Sequence, residues 1–140
     1  MSGRARRTLL MPTVALVVDD SMLIRYTVCR FLEARGFVVE SASNGADAMQ
    51  VLARVRPGLI VTDLHMPKMS GGELITAVRG NPETETIPII VVASRGSGQT
   101  VLDDRADFEI YKDIDIEEQL QKALQSVLGG RTRKGQTAAK

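Results

Sequence analysis

The chain has 140 residues, of which 44% are hydrophobic and 25% are charged, which is the composition of one ordinary globular domain with a sizeable core. Its single cysteine, Cys29, excludes a disulfide framework and favours a reducing, cytoplasmic setting. No segment approaches the roughly 18 apolar residues that a membrane-spanning helix needs, so no membrane partner is predicted.

The net charge of +1 is distributed unevenly. Residues 1–12 carry three arginines and no acid, and residues 129–140 carry four basic residues and no acid. Removing these seven positive charges from the total leaves −6 for residues 13–128. The sequence therefore predicts an acidic domain at 13–128 between two basic tails. Basic tails can contact nucleic acid, but their Gly, Thr and Ala content favours solubilising ends, and nucleic acid is not a predicted partner.

Hydrophobic pattern and capping residues predict strands and helices in alternation. In chain order they are a strand at 14–18, a helix opening at 21 and closing before 36, a strand at 37–40, a helix at about 46–54, a strand at 59–63, a helix from about 70 to 78, a strand at 87–92, a short polar helix within 99–105, a strand at 108–111 and a helix from about 115 to 128. This alternation indicates an α/β fold with a doubly wound parallel sheet of strand order 2-1-3-4-5 and a shortened or irregular fourth helix.

Two of these strands end on carboxylates. The first strand runs into Asp19 and Asp20, and the apolar central strand ends on Asp63 just before a turn. In the order 2-1-3-4-5 these two strands are neighbours at the switch point, where open α/β sheets bind their ligands. The three carboxylates are therefore predicted to converge, with Lys112 reaching the same edge from the end of the fifth strand.

Carboxylates held this close repel one another, which raises the free energy of ionising each of them. A divalent cation offsets that repulsion, and oxygen ligands of this kind suit Mg²⁺. The ammonium group of Lys112 suits a phosphoryl oxygen. Together these groups predict a phosphoryl-transfer site. One carboxylate can act as the nucleophile in such a site and form an acyl phosphate.

The segments Val17–Ser21 and Asp63–Leu74, with Lys112 completing the set, resemble the receiver domain of response regulators in two-component signalling. The resemblance covers nearly all of residues 13–128 and implies a flavodoxin-like fold. Because no output domain follows residue 130, the chain is similar to single-domain, chemotaxis-type receivers.

The resemblance also implies residue roles. Asp63 would accept a phosphoryl group from a sensor histidine kinase or a phosphotransfer protein. Asp20, Asp63 and the backbone carbonyl of His65 would bind Mg²⁺ directly, and Asp19 would act through a metal-bound water. Lys112 would bind the phosphoryl group. The His65 side chain either tunes the lifetime of the phosphate or simply faces solvent. The protein would signal by binding a downstream partner that the sequence does not identify.

Several positions depart from the family pattern. The switch hydroxyl at the end of the fourth strand falls on Ala93, and the nearest hydroxyl is Ser94. A local bulge could bring Ser94 to the phosphoryl oxygens, but a one-residue slip turns a side chain to the opposite face, so we expect the hydroxyl switch to be missing. Asp113 follows Lys112 where the family has a cis-proline, which predicts a trans bond and a less fixed lysine. Glu109 occupies the position of the switch aromatic.

Three functions are compatible with these features. The first is a working phosphoacceptor whose only enzymatic activities are self-phosphorylation from a donor and slow self-dephosphorylation. The second is a degenerate receiver that binds its partner without phosphate control. The third is a phosphatase of the haloacid dehalogenase type, which needs an Asp where this chain has His65; we disfavour it for that reason.

Overall fold

The computed structural model describes residues 13–94 and 105–128, which form a parallel sheet covered by helices on both faces. The strands are β1 (Val14–Val18), β2 (Val38–Ala42), β3 (Leu59–Asp63), β4 (Ile89–Ala93) and β5 (Phe108–Tyr111), and the helices of this part of the chain are α1 (Met22–Glu33), α2 (Gly45–Leu52), α3 (Gly71–Arg79) and α4 (Ile116–Val127). The strand order is β2-β1-β3-β4-β5, so the predicted α/β fold and its topology are confirmed.

The core is split into two layers by the sheet. Successive strand residues point to opposite faces, so Leu16 and Val18 of β1 join the cluster under α2 and α3, while Ala15 and Val17 join the cluster under α1 and α4. All five residues of β3 and of β4 are buried. This explains why these strands read as continuous apolar runs rather than as alternating patterns.

Each helix begins at a polar capping residue. The side chains of Ser21, Asn44, Ser70 and Asp115 accept hydrogen bonds from the backbone N–H groups of Ile24, Asp47, Glu73 and Glu118, respectively. At α3 the Glu73 side chain also accepts from the Ser70 N–H, which completes the predicted capping box. The helix starts are therefore determined locally, by residues that the sequence makes visible.

The strand boundaries follow tertiary pairing more than local pattern. β2 starts one residue later than predicted and continues to Ala42, because Ser41 and Ala42 pair with Val17 and Val18 of β1. β5 has the predicted bounds. The helix predicted within 99–105 falls almost wholly outside the described residues, and its last position, Arg105, lies in a turn. The tails predicted at 1–12 and 129–140 also lie outside them. No helix in the described part is long and apolar enough to cross a membrane.

Residues 64–70, the β3–α3 loop, are packed against two glycines. The Gly71 N–H donates to the Leu64 carbonyl at 2.9 Å, and a Cβ on Gly71 would overlap the backbone carbonyl of Asp63. The Gly45 N–H donates to the Met69 carbonyl at 3.0 Å, and a Cβ there would overlap Met69 itself. Both glycines are thus required for close approach, and they fix the loop beside Asp63.

Arg79, the last residue of α3, ties this helix to the segments that lead into the N-terminal ends of β4 and β5. Its guanidinium group donates to the backbone oxygens of Glu85, Ile87 and Arg105 and to the Asp107 carboxylate, at 2.7–3.1 Å. The side chain is only 20% exposed. This fork of hydrogen bonds anchors residues 105–107, where the chain enters β5.

Candidate functional site

Three carboxylates converge at the C-terminal edge of the sheet, as predicted. β1 and β3 are paired in register, with Val18 opposite Thr62, so the residues that follow these two positions emerge side by side. Carboxylate oxygens of Asp19, Asp20 and Asp63 all lie within 4.8 Å of one another. We call these three residues the acid cluster. Asp19 and Asp63 are buried, while Asp20 is exposed.

Lys112 lies against the two buried members of the acid cluster. Its Nζ is 3.0 Å from Asp63 Oδ2 and 3.5 Å from Asp19 Oδ1. Burial alone would lower the pKa of Lys112, but its hydrogen bond to Asp63 and the negative charges of Asp19 and Asp63 outweigh that effect, so its pKa is raised. The lysine is therefore a permanently charged ammonium group at neutral pH.

The peptide bond after Lys112 is trans, as are all the peptide bonds of the described residues, so the predicted geometry before Asp113 is confirmed. The backbone of Lys112 is nevertheless tied to the sheet, because its N–H donates to the Ala93 carbonyl at 2.8 Å. This contact restrains the backbone at Lys112 in the absence of a following proline, and the expectation of a less fixed lysine stays a prediction.

Asp19 is the electrostatically costly member of the acid cluster. Its Oδ1 accepts from the Ser21 N–H at 2.9 Å, whereas its Oδ2 is buried and accepts no hydrogen bond from the described residues. Burial, reinforced by the charge of Asp63, raises the pKa of Asp19 to about 6, although Ser21 and Lys112 partly oppose the shift. A buried carboxylate oxygen without a partner is unfavourable unless something else satisfies it.

A hard divalent cation fits this set of ligands. The available ligand atoms are all carboxylate oxygens, which Mg²⁺ prefers, and the exposed side of the cluster leaves room for the waters that Mg²⁺ retains. Asp19, a member of the cluster, has a buried Oδ2 that accepts no hydrogen bond from the described residues and could be satisfied by such a site. The chemistry of the site is therefore compatible with Mg²⁺.

Asp63 is oriented by one contact on each carboxylate oxygen. Oδ1 accepts from the N–H of the next residue, Leu64, at 2.8 Å, and Oδ2 accepts from Lys112. The side chain is only 5% exposed. A group that reacts with Asp63 must therefore enter from the open side of the acid cluster, where Asp20 is exposed.

The structure brings four of the six predicted side chains into one site: the acid cluster and Lys112. His65 is exposed on the β3–α3 loop, two residues beyond Asp63. Ala93, the last residue of β4, is buried in the core under α2 and α3, and the exposed Ser94 follows it outside the strand. The roles of Ser94 and His65 remain predictions.

Two residues near the site were not predicted. Arg25 donates to the backbone carbonyl of Asp19 at 2.7 Å, and nothing in the sequence distinguishes it from other helix arginines. Gln119 holds the backbone of Tyr111, the residue before Lys112. Gln119 has a detectable signal, because it is a polar residue three positions after the apolar Ile116 and four before the apolar Ala123, on the same face of the helix.

Comparisons with known proteins identify a single family. A family model described as the response regulator receiver domain matches residues 15–125. The response regulator MprA of Mycobacterium sp. (strain KMS) is 35% identical over 113 residues, which are 79% of this chain and 48% of that protein. The phosphate regulon transcriptional regulatory protein PhoB of Rhizobium meliloti is 39% identical over 90 residues, which are 62% of this chain and 38% of that protein. The chain thus spans about half or less of the length of these curated relatives.

Solved structures agree with this match. The chemotaxis response regulator CheY4 of Vibrio cholerae has a TM-score of 0.74 at 31% identity, covering 84% of this chain and all of that one. The response regulator TrrA of Thermotoga maritima, solved in complex with Mg²⁺ and BeF, has a TM-score of 0.72 at 26% identity, covering 83% of this chain and 99% of that one.

Proposed function

The chain belongs to the family of response regulator receiver domains of two-component systems, and from this premise we propose that it is a working phosphoacceptor. Asp63 takes a phosphoryl group from a phosphohistidine of a sensor histidine kinase or a phosphotransfer protein. The observation that carries the proposal is the acid cluster itself, with carboxylate oxygens within 4.8 Å and the ammonium group of Lys112 on two of its members.

In the proposed reaction a carboxylate oxygen of Asp63 attacks the phosphorus of the donor. A new O–P bond forms, the P–N bond to the imidazole breaks, and the released imidazole takes up a proton from solvent. The product is an acyl phosphate on Asp63. The phosphoryl group adds negative charge where Lys112 already lies, so the lysine exchanges part of its contact with Asp63 for the phosphoryl oxygens.

Asp20, Asp63 and the backbone carbonyl of His65 would bind Mg²⁺, with Asp19 acting through a bound water. When bound, Mg²⁺ supplies positive charge that neutralises the transferring phosphoryl group. The Mg²⁺ in the complex of the relative TrrA supports this assignment, as does the unsatisfied Asp19 Oδ2. Hydrolysis of the acyl phosphate returns the domain to its starting state, and we propose that this self-dephosphorylation is slow.

The alternative of a degenerate receiver draws on the departures between Ala93 and Asp113. It is disfavoured because all three acids of the cluster are present and Lys112 contacts two of them. Burial of Asp19 beside the charge of Asp63 raises the pKa of Asp19, and a purely structural protein has no reason to keep that unfavourable arrangement. We propose a cytoplasmic protein that passes its signal to a downstream protein partner.

The proposal is tested by incubating the protein with Mg²⁺ and phosphoramidate and measuring its intact mass. Wild-type protein is expected to gain the mass of one phosphoryl group, and Asp63→Asn is expected to gain none. Asp113→Asn is the matched control, because Asp113 is exposed and lies outside the acid cluster; it is expected to be modified like wild type. A wild-type protein that phosphoramidate and acetyl phosphate both leave unmodified contradicts the proposal and favours the degenerate receiver.

A further inference from the structure

The side-chain amide of Gln119 holds the backbone at the entrance to Lys112. Its Oε1 accepts from the Tyr111 N–H at 3.0 Å, and its Nε2 donates to the Tyr111 carbonyl at 2.8 Å. A longer contact of 3.3 Å joins Nε2 to the Asp115 carbonyl, next to the start of α4. Gln119 thus connects α4 to the last residue of β5 through both backbone polar groups of that residue.

These contacts fix one peptide unit from two sides. The carbonyl of Tyr111 and the N–H of Lys112 belong to the same planar amide. Gln119 holds the oxygen end of that amide, and the Ala93 carbonyl accepts from its N–H end at 2.8 Å. With both ends held, rotation of the amide plane is restricted, and so is the position of the Lys112 Cα from which the side chain extends. From that position Nζ contacts Asp63 and Asp19.

Packing alone would not select a glutamine here. Gln119 is half-buried in the stripe of α4 that carries Ile116, Leu120 and Ala123. An apolar side chain at this position would bury surface without the free-energy cost of desolvating an amide. The amide is accommodated because its oxygen and its nitrogen both find backbone partners.

We infer that Gln119 is the positioning residue for Lys112, in a chain where a trans bond to Asp113 replaces the constrained bond of a proline. The inference rests on the proposed function, because Lys112 matters through the phosphoryl group it binds. Gln119 touches neither the phosphoryl donor nor the acid cluster, so its effect is transmitted only through the backbone of Tyr111 and Lys112.

The test compares Gln119→Leu with Gln125→Leu, the same change at an exposed position of the same helix. With saturating phosphoramidate and Mg²⁺, Gln119→Leu is expected to take up phosphate about tenfold more slowly than wild type, while Gln125→Leu is unchanged. The Mg²⁺ affinity of Gln119→Leu is expected to stay close to wild type. Its thermal unfolding midpoint is expected to fall by only a few degrees, because two part-buried backbone groups of Tyr111 lose their partners. Gln119→Glu keeps the acceptor for the Tyr111 N–H but loses the donor to the Tyr111 carbonyl. Its phosphorylation rate is therefore expected to lie between those of wild type and Gln119→Leu.

A second readout needs no phosphodonor. Hydrogen exchange at the Tyr111 and Lys112 amides is expected to accelerate in Gln119→Leu and not in Gln125→Leu. The inference is overturned if Gln119→Leu is phosphorylated at the wild-type rate, or if both amides exchange as slowly as in wild type. Failure of the proposed function looks different, because wild type itself would then gain no phosphate while the exchange experiment still decides whether Gln119 fixes the lysine backbone.

Discussion

Asp19→Asn removes a buried carboxylate whose charge lowers the stability of the folded protein. The folded state raises the pKa of this group from 3.8 to about 6, so above pH 6 the folded protein carries a charge that the unfolded chain accommodates more easily. Each pKa unit corresponds to about 1.4 kcal/mol, which gives a free-energy penalty of about 3 kcal/mol at pH 8. Asparagine has the same shape, no charge, and an oxygen that still accepts from the Ser21 N–H.

The sign of the pH dependence follows from linkage. A carboxyl group with a raised pKa binds its proton more tightly in the folded state, so the penalty is complete above pH 6 and vanishes below pH 3.8. Without Mg²⁺, Asp19→Asn is therefore expected to be more stable than wild type by about 3 kcal/mol at pH 8, and by about half of that at pH 5. At pH 8 this corresponds to a rise of about 10 °C in the unfolding midpoint.

The assay is urea unfolding of both proteins at pH 8 and pH 5, with and without MgCl₂. Mg²⁺ at about a hundred times its Kd adds about 2.7 kcal/mol to the unfolding free energy of a protein that binds it. Asp19→Asn has one negative charge fewer in the acid cluster and is expected to bind Mg²⁺ more weakly, so MgCl₂ is expected to narrow the gap at pH 8. Asp113→Asn, an exposed control, is expected to change stability by less than about 0.5 kcal/mol. The reasoning is refuted if Asp19→Asn is less stable than wild type at pH 8 without Mg²⁺, or if its advantage is the same at both pH values.

Three further predictions concern the surroundings of the site. Gly71→Ala forces a Cβ into the backbone of β3 and is expected to lower the unfolding free energy, measured in urea titrations, by about 2 kcal/mol. Gly72→Ala adds a Cβ with only a distant contact and is expected to raise the unfolding free energy by about 0.5 kcal/mol. Equal effects of the two changes would contradict the close packing at Gly71. Lys112→Met leaves two buried carboxylates without their cation. The lysine is 22% exposed, so solvent screens the ion pairs in part, and the unfolding free energy is expected to fall by about 2 kcal/mol at pH 8, with partial recovery in MgCl₂. An unchanged unfolding free energy would argue against the ion pairs. Arg79→Lys loses the hydrogen bonds of the guanidinium group and is expected to lower the midpoint of thermal unfolding by about 5 °C. Arg54→Lys alters only an exposed ion pair at 3.7 Å and is expected to leave that midpoint unchanged. Matching shifts in the two variants would refute the anchoring role of Arg79.

The location of the site could be predicted from the sequence because it depends on only two rules. Apolar runs that end on acids mark strand ends, and neighbouring parallel strands bring those ends to one edge. Asp19, Asp20 and Asp63 follow from these rules, and Lys112 follows from the end of β5, whose predicted bounds were correct. Capping residues likewise gave the helix starts.

What the sequence could not supply depends on contacts between distant segments. Adjacent residues Asp19 and Asp20 look alike in the sequence, yet only the first is buried with an unsatisfied oxygen, because burial depends on how β1 sits between β2 and β3. The end of β2 depends on pairing with β1, since its last residues carry no strand signal of their own. The role of Gln119 required knowing which backbone atoms α4 faces.

The β3–α3 loop has a mechanical consequence for signalling. Gly45 and Gly71 approach it so closely that neither position has room for a Cβ. If the domain carries a phosphoryl group on Asp63 as proposed, we expect this loop to keep its position. The adjustment to the added group is then expected on the side of Lys112, which already contacts Asp63.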